Sequence, residues 1–138
     1  MEYKILLIES LNKEIKSNKS NLQRKVDLYR LRALLNLDIE RFDNVISDCN
    51  KCLNYLDIFK EQEYINPDIK KIYNDKWISR ILIIRSLAFF KKGNKKKVIN
   101  DLTSAIQLNP KILKEKSYLI DKLPNDLKTT FKYLAEMN

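Results

Sequence analysis

The sequence predicts an all-α protein, an antiparallel stack of helix hairpins with about seven helices, as three observations indicate. Apolar residues recur at helical spacing along most of the 138 residues. One glycine and three prolines supply too little turn material for a many-stranded β fold. One pattern of residues also occurs twice, as a stack of similar helix pairs would require. The composition, 44% hydrophobic and 33% charged, is typical of a folded chain.

The helices can be placed in order from this spacing. Residues 3–16 carry apolar side chains at Ile5, Ile8, Leu11 and Ile15, and a polar run follows them. Further helices are expected at 22–37, 42–59, 77–91, 95–108 and 111–119, and a last one has Pro124 in its first turn. Proline is favoured at that position because the missing N–H would have no partner there.

The segment 84–110 shows one helix pair most clearly. The only glycine of the chain, Gly93, lies between two periodic runs, where a left-handed turn is easiest for a residue without a β-carbon. Pro110 cannot continue a helix and marks the end of the second run. The small residues Ser86 and Ala105 lie where the two helices have to approach closely.

The same pattern occurs 53 residues earlier. The identical residues are Arg32, Leu34, Val45, Ile46 and Asp48, which recur as Arg85, Leu87, Val98, Ile99 and Asp101. On these residues the chain resembles the tetratricopeptide repeat family, whose unit is a helix-turn-helix of about 34 residues. In that register the predicted parts of a single domain, 1–138, are repeats 26–59 and 79–112, insertion 60–78, and capping helices 3–17 and 111–137.

The second copy matches the family better than the first. The aromatic eleventh position of the family holds Phe89 in the second copy and Asn36 in the first. The turn glycine is Gly93 in the second copy and Glu40 in the first. The first hairpin is therefore the more divergent of the two.

The resemblance implies binding, usually of a peptide or partner helix in a concave groove lined by the first helix of each repeat. The candidate partner-binding residues are Arg30, Leu31, Arg80, Ile83, Ile84 and Lys91. The carboxylate clamp of the co-chaperones in this family is absent in every register, since Leu31, Leu34 and Ile84 stand where it needs Asn or Arg. We therefore expect a non-catalytic adaptor or assembly module, co-chaperone-like but without that clamp.

The insertion 60–78 is the unusual element of the chain. Asp68 is the expected N-cap of a helical segment that leads into Trp77. This insertion either folds over the groove, occupies it or makes a contact of its own, or it only lengthens a helix pair with aromatic packing.

A net charge of +9 supports an alternative function. The basic patch at the turn of the second repeat consists of Lys92, Lys95, Lys96 and Lys97. Such a patch suits RNA or another anionic surface. Lysine outnumbers arginine 21 to 6, however, and an AT-rich genome yields the same bias without any function. Both interpretations of the charge stay open.

The sequence indicates neither an enzyme nor a cofactor or metal site. Because the chain has no histidine, it lacks an imidazole base, and one glycine cannot form a glycine-rich phosphate loop. Cys49 and Cys52 form a CxxC motif, but they lie inside a predicted helix and not at its N-terminus, where a redox cysteine is activated. No further Cys or His completes a zinc site. We expect two buried core thiols.

No targeting or membrane-spanning segment is expected. The first apolar run, Ile5 to Ile8, is shorter than the roughly 7–15 residues of a signal peptide. The run from Ile81 to Phe90 is interrupted by Arg85 and is shorter than the roughly 20 residues of a membrane span. We expect a cytoplasmic protein with a protein or peptide partner. A fixed subunit of a larger assembly is the third possibility, and the oligomeric state is left open.

Overall fold

The computed structural model describes residues 2–17, 21–114 and 123–137, and all regular structure within them is helical. The helices are α1 (Glu2–Ser17), α2 (Leu22–Asp38), α3 (Phe42–Lys60), α4 (Pro67–Lys91), α5 (Lys95–Leu108), a 3-10 turn (Ile112–Lys114) and α6 (Asn125–Met137). Each of the first four helices packs on the next one in the chain, and α6 packs on α5. The prediction of an all-α hairpin stack is confirmed.

Contacts between α3 and α4 show that these two helices are antiparallel. Asp43, at the start of α3, pairs with Lys92, which follows the end of α4. At the other end, the rings of Phe59 and Tyr73 have centroids 4.9 Å apart. Helix α1 packs on α2, and the last helix packs on α5.

Asparagine side chains begin three of the helices. Asn21 accepts a hydrogen bond from the backbone N–H of Arg24 at 2.8 Å, and Asn94 accepts one from Lys97 at 3.2 Å. Asn66 does the same for Asp68 at 2.9 Å, directly before Pro67. The prediction that Asp68 is the N-cap is therefore wrong, because Asp68 is already inside α4.

The segment 60–78 lengthens a helix pair. A turn of six residues, 61–66, follows α3, and the rest of the segment forms the first turns of the 25-residue helix α4. Tyr73 packs against Phe59 of α3 and lies 6.1 Å from the ring of Trp77. Of the four roles considered for this segment, the structure shows the lengthened pair with aromatic packing.

The C-terminal part is described only in pieces. Of the helix predicted at 111–119, the structure describes a 3-10 turn over Ile112–Lys114, and the remainder lies outside the described residues. The last predicted helix is present as α6, which begins at Asn125, so Pro124 precedes its first turn and does not lie within it. None of the helices in the described ranges has both the length and the apolar character needed to cross a membrane.

Helix α4 is the centre of the core because it is buried on two sides. One apolar cluster joins it to α2 and α3 through Ile81, Ile84 and Ala88. The other joins it to α5, the 3-10 turn and α6 through Leu82 and Ile83. This double burial explains why nearly every residue between 81 and 89 is apolar or small.

Each hairpin is held by the same ion pair. In the first, Arg32 donates from Nε and Nη2 to both carboxylate oxygens of Asp48, at 2.9 and 2.7 Å. In the second, Arg85 makes the same two bonds to Asp101 at the same distances. The hydrogen bond to the carboxylate raises the pKa of each arginine. Two of the five repeated identities, the arginine and the aspartate, therefore form the same ion pair in both hairpins. We call this ion pair the brace.

The third guanidinium nitrogen of each arginine, Nη1, binds the preceding helix. Arg32 Nη1 donates to Asn12 of α1 at 2.8 Å, and Arg85 Nη1 donates to Asn50 of α3 at 2.9 Å. Because Asn12 relates to α2 as Asn50 relates to α4, α1 takes the place of the second helix of a preceding hairpin. The same hydrogen bond thus links each hairpin to the helix that precedes it in the stack.

The turns of the two hairpins also match. The backbone N–H of Arg41 donates to the carbonyl of Asn36 at 2.9 Å, and that of Asn94 donates to Phe89 at the same distance. Both turns need a left-handed residue, which is Gly93 with φ of 77° in one and Glu40 with φ of 62° in the other. Left-handed backbone suits glycine and is unfavourable for a residue with a β-carbon.

The two turns should respond to substitution in opposite directions. We expect Glu40→Gly to raise the free energy of unfolding by about 1 kcal/mol and Gly93→Ala to lower it by about 1 kcal/mol. No atom lies within 4 Å of a β-carbon built on Gly93, so backbone conformation alone sets that second effect. Urea unfolding followed by circular dichroism measures both, and a destabilised Glu40→Gly would contradict the account.

Candidate functional site

The side chains of Arg30, Trp77 and Arg80 form a cationic–aromatic cluster between α2 and α4. The guanidinium carbon Cζ of Arg30 lies 4.9 Å from the centroid of the Trp77 ring, and that of Arg80 lies 5.0 Å from it. At this distance the positive charge is attracted by the electron-rich face of the indole. The contact joins the first helices of the two predicted repeats, so we call these three residues the tryptophan site.

Charge and burial distinguish the two arginines from ordinary surface residues. Arg30 Nη2 lies 3.8 Å from the carboxylate of Asp27, one helical turn earlier. Its Nε is buried and has no hydrogen-bond partner in the described part of the chain. Arg30 and Arg80 are both half-buried residues, which places them at the edge of the protein surface.

Aromatic residues extend the tryptophan site along the hairpin. Tyr73 lies between Trp77 and Phe59, and the rings of Tyr29 and Tyr55 have centroids 5.7 Å apart. Burial is the main cause that raises the pKa of both Tyr29 and Tyr73. These tyrosines are therefore neutral packing groups.

The other predicted partner-binding residues are divided between surface and core. Leu31 is 40% exposed, and Lys91 is exposed at the end of α4. Ile83 and Ile84 have exposed fractions of 0% and 1%, so their prediction as partner contacts is wrong. The reason is that α4 is covered on one side by α2 and α3 and on the other by α5 and the segments that follow it.

The end of the lengthened hairpin carries exposed apolar side chains. Helix α4 has 25 residues and α5 has 14, so α5 is too short to cover the first turns of α4. Ile69 and Ile72 of α4 are 61% and 70% exposed, and Ile58 of α3 is 44% exposed. Ile69 and Ile72 are three residues apart and therefore lie on one face of α4, and neighbouring exposed apolar side chains are typical of surfaces that bind another protein.

The basic patch is exposed, but two of its four lysines have local contacts. Lys92 pairs with Asp43 of α3, and Lys97 Nζ lies 5.0 Å from the centroid of the Phe89 ring. Lys95 lines an apolar cleft of about 390 Å³ between the α4–α5 turn and α6. Lys96 is exposed.

The two cysteines belong to the core. Cys49 and Cys52 are fully buried, and Cys52 Sγ donates a weak hydrogen bond to the carbonyl of Val26 at 3.5 Å. Burial raises the pKa of Cys52 to about 12 and that of Cys49 well above its usual value. The prediction of buried core thiols is confirmed.

Sequence reasoning placed Arg30 and Arg80 in the groove but did not connect them to Trp77. The missed signal is the spacing of Trp77 and Arg80, which lie three residues apart and therefore on one face of a helix. No group of three or more Cys, Asp or Glu side chains suited to a metal ion occurs in residues 2–17, 21–114 and 123–137.

Comparisons of the chain with protein-family models, with curated proteins and with solved structures find no match.

The tryptophan site can be tested by fluorescence, because Trp77 is the only tryptophan in the chain. We expect Arg30→Ala to shift its emission to longer wavelength, since water then reaches the uncovered indole face. We also expect a loss of about 0.5–1 kcal/mol of stability from the cation–π contact. The control is Arg24→Ala, an arginine on the same helix that pairs with Glu14 instead. Unchanged emission in Arg30→Ala would contradict the geometry.

The thiols provide a pH-dependent test. The unfolded thiol ionises near pH 8.5, whereas folded Cys52 keeps its proton until about pH 12. Cys52 therefore stabilises the fold below the unfolded pKa, and this contribution falls as pH rises from about 8.5 to 12, by up to about 1.4 kcal/mol per pH unit. We expect the stability difference between the wild type and Cys52→Ala to shrink over pH 8–10. A stability difference that stays constant over this pH range would contradict the raised pKa of Cys52.

Proposed function

We propose that the protein is a non-catalytic interaction module of the tetratricopeptide-repeat type, which binds a peptide or helix of a partner protein along α2 and α4. The observation that carries this proposal is the tryptophan site, where side chains of both first helices meet at the protein surface. An indole with an arginine on it provides apolar area and charge in one place, a combination that is enriched at the centre of protein interfaces.

The architecture supports a binding role. The two hairpins share the same ion-pair brace and the same turn, and such repeated units usually present an extended surface. The resemblance to tetratricopeptide repeats points the same way. An adaptor or assembly factor of the cytoplasm fits these features.

The chemistry of the surface indicates what the partner offers. Arg30 and Arg80 suit carboxylates, because the planar guanidinium binds both oxygens of a carboxylate while it stacks on an aromatic ring. Leu31, which follows Arg30 on α2, and Ile69 and Ile72 in the first turns of α4 suit apolar side chains. We infer a partner segment with both acidic and apolar residues, as an amphipathic helix has.

The basic patch supports a second candidate function, binding of RNA or another anionic surface. Lys95 and Lys96 are exposed, and no ion-pair partner of either is found in the described ranges. Lys92 and Lys97 have the local contacts described above, which leaves less free charge than the sequence suggests. We therefore rank this function second.

The main test is capture of a partner from native lysate by the immobilised protein. The double variant Arg30→Glu with Arg80→Glu should reduce capture at least about tenfold, because it places negative charge where the partner is acidic. The matched control, Lys13→Glu with Lys51→Glu, makes the same change of charge at exposed positions on α1 and α3. Circular dichroism checks that both variants remain helical.

Each outcome decides between the candidates. If a protein is captured by the control variant but not by the arginine variant, the result supports partner binding in the groove at the tryptophan site. Equal capture by both variants means that the groove hypothesis is wrong. Material that disappears with nuclease and elutes steeply with salt assigns the function to the basic patch instead, since phosphate contacts depend strongly on ionic strength.

A further inference from the structure

Helix α1 carries exposed apolar side chains on the side that α2 does not cover. Tyr3, Leu6 and Leu7 are 61%, 64% and 49% exposed. Their spacing of three and four residues places them together on the helix. Ile8 is buried on the opposite side, in line with residues of α1 that hydrogen-bond to α2. Grouped apolar side chains of this kind are typical of a helix face that another helix covers.

The internal repeat shows what covers the corresponding face in the two hairpins. Because Asn12 relates to α2 as Asn50 relates to α4, Leu7 of α1 corresponds to Val45 of α3, five residues before the asparagine in each case. In the repeated pattern Val45 recurs as Val98 of α5. Both valines are buried in core clusters that contain residues of the first helix of the same hairpin. The outer face of α1 is thus a packing face, and no helix of the described ranges covers it.

The free charges of α1 follow an order along the helix. Glu2 and Glu9 lie in its first half, and Lys13 and Lys16 lie in its second half. All four are exposed, and no ion-pair partner of any of them is found among residues 2–17, 21–114 and 123–137. Their spacing of seven, four and three residues places them on one side of the helix, beside the apolar residues. We call these four residues the charged strip.

This order of charges selects a second copy of α1 in antiparallel orientation. A two-fold axis perpendicular to the helix brings the acidic half of one charged strip against the basic half of the other. A parallel pair would place like charges together. The chain as a whole has a net charge of +9, but α1 has three acidic and three basic residues and is neutral. Two copies can therefore meet at α1 with less repulsion than the net charge implies.

We propose that two copies of the chain form a dimer in which the two α1 helices pack antiparallel. Tyr3, Leu6 and Leu7 of both copies form the apolar centre, and the charged strips form ion pairs beside it. A helix of 16 residues is about 24 Å long, so one of its faces buries less than the roughly 800 Å² per partner of a standard stable interface. The dimer is therefore reversible and forms at high protein concentration. It leaves the tryptophan site on α2 and α4 free, so the two proposals are independent.

Sedimentation equilibrium of the full chain tests the dimer. Between about 10 μM and 1 mM protein, the average mass should rise from the 16.5 kDa of one chain toward twice that value. The double variant Leu6→Gln with Leu7→Gln changes exposed side chains and should raise the dissociation constant at least about tenfold, because the apolar centre is lost. The matched control, Ile69→Gln with Ile72→Gln, changes two exposed apolar residues of α4 and should dimerise like the wild type.

Reversal of the charges tests the orientation of the two helices. Lys13→Glu with Lys16→Glu makes the whole charged strip acidic and should weaken the dimer about tenfold. Addition of Glu2→Lys with Glu9→Lys inverts the order of the charges and restores the net charge of +9, so the dimer should return. Circular dichroism checks that each variant remains helical. Loss of helix alone would not be reversed by the second pair of substitutions.

Several results would overturn the proposal. It fails if the wild type keeps the mass of one chain up to about 1 mM, which leaves the outer face of α1 to a different protein. It also fails if the leucine variant dimerises like the wild type, or if the isoleucine control loses the dimer, since either result places the contact outside α1. A fourfold charge variant that stays monomeric contradicts the antiparallel arrangement.

Discussion

The bidentate ion pair inside each hairpin is the constraint on which the arrangement of the helices depends. Both oxygens of Asp48 and of Asp101 are held by one arginine, so the two helices of each hairpin have little freedom to slide or rotate. A half-buried pair gains little net stability, because both charges lose water. Its value here is geometric, since the third guanidinium nitrogen of each arginine also fixes the helix before the hairpin. The brace therefore sets both the pairing and the stacking.

The stacking explains why α4 carries the candidate site. It lies between α3 of the first hairpin and α5 of its own, so residues 81–89 are covered on both sides and only the parts of the helix outside this stretch are available to other molecules. Its first turns extend past α5 and leave apolar side chains exposed. Where the extension meets the core, Trp77 reaches Arg30 of α2. The tryptophan site is thus a consequence of one helix being longer than its neighbours.

The sequence was enough to predict where helices of the described ranges lie, but it was not enough to predict the contacts between them. Periodicity, Gly93 and Pro110 predicted the bounds of α2, α3 and α5 to within a residue, because these signals are local. The same periodicity placed Ile83 and Ile84 in the groove, because it locates a face of a helix and not what covers that face. The cluster at Trp77 could not be predicted, since Arg30 is 47 residues away and only the packing of α2 on α4 brings them together. For the same reason the repeated Arg and Asp were recognised as identities and not as partners.

Differences between the two hairpins show that the first one is the less favourably packed at its turn. At matching positions the second hairpin has a buried phenylalanine and a glycine, whereas the first has Asn36 with an unpaired oxygen and Glu40 in left-handed backbone. Both features are unfavourable for folding, and both lie within six residues of Arg41 at the same end of the hairpin. The second hairpin is therefore the better packed of the two, and the shared ion pair keeps both in the same arrangement despite this difference.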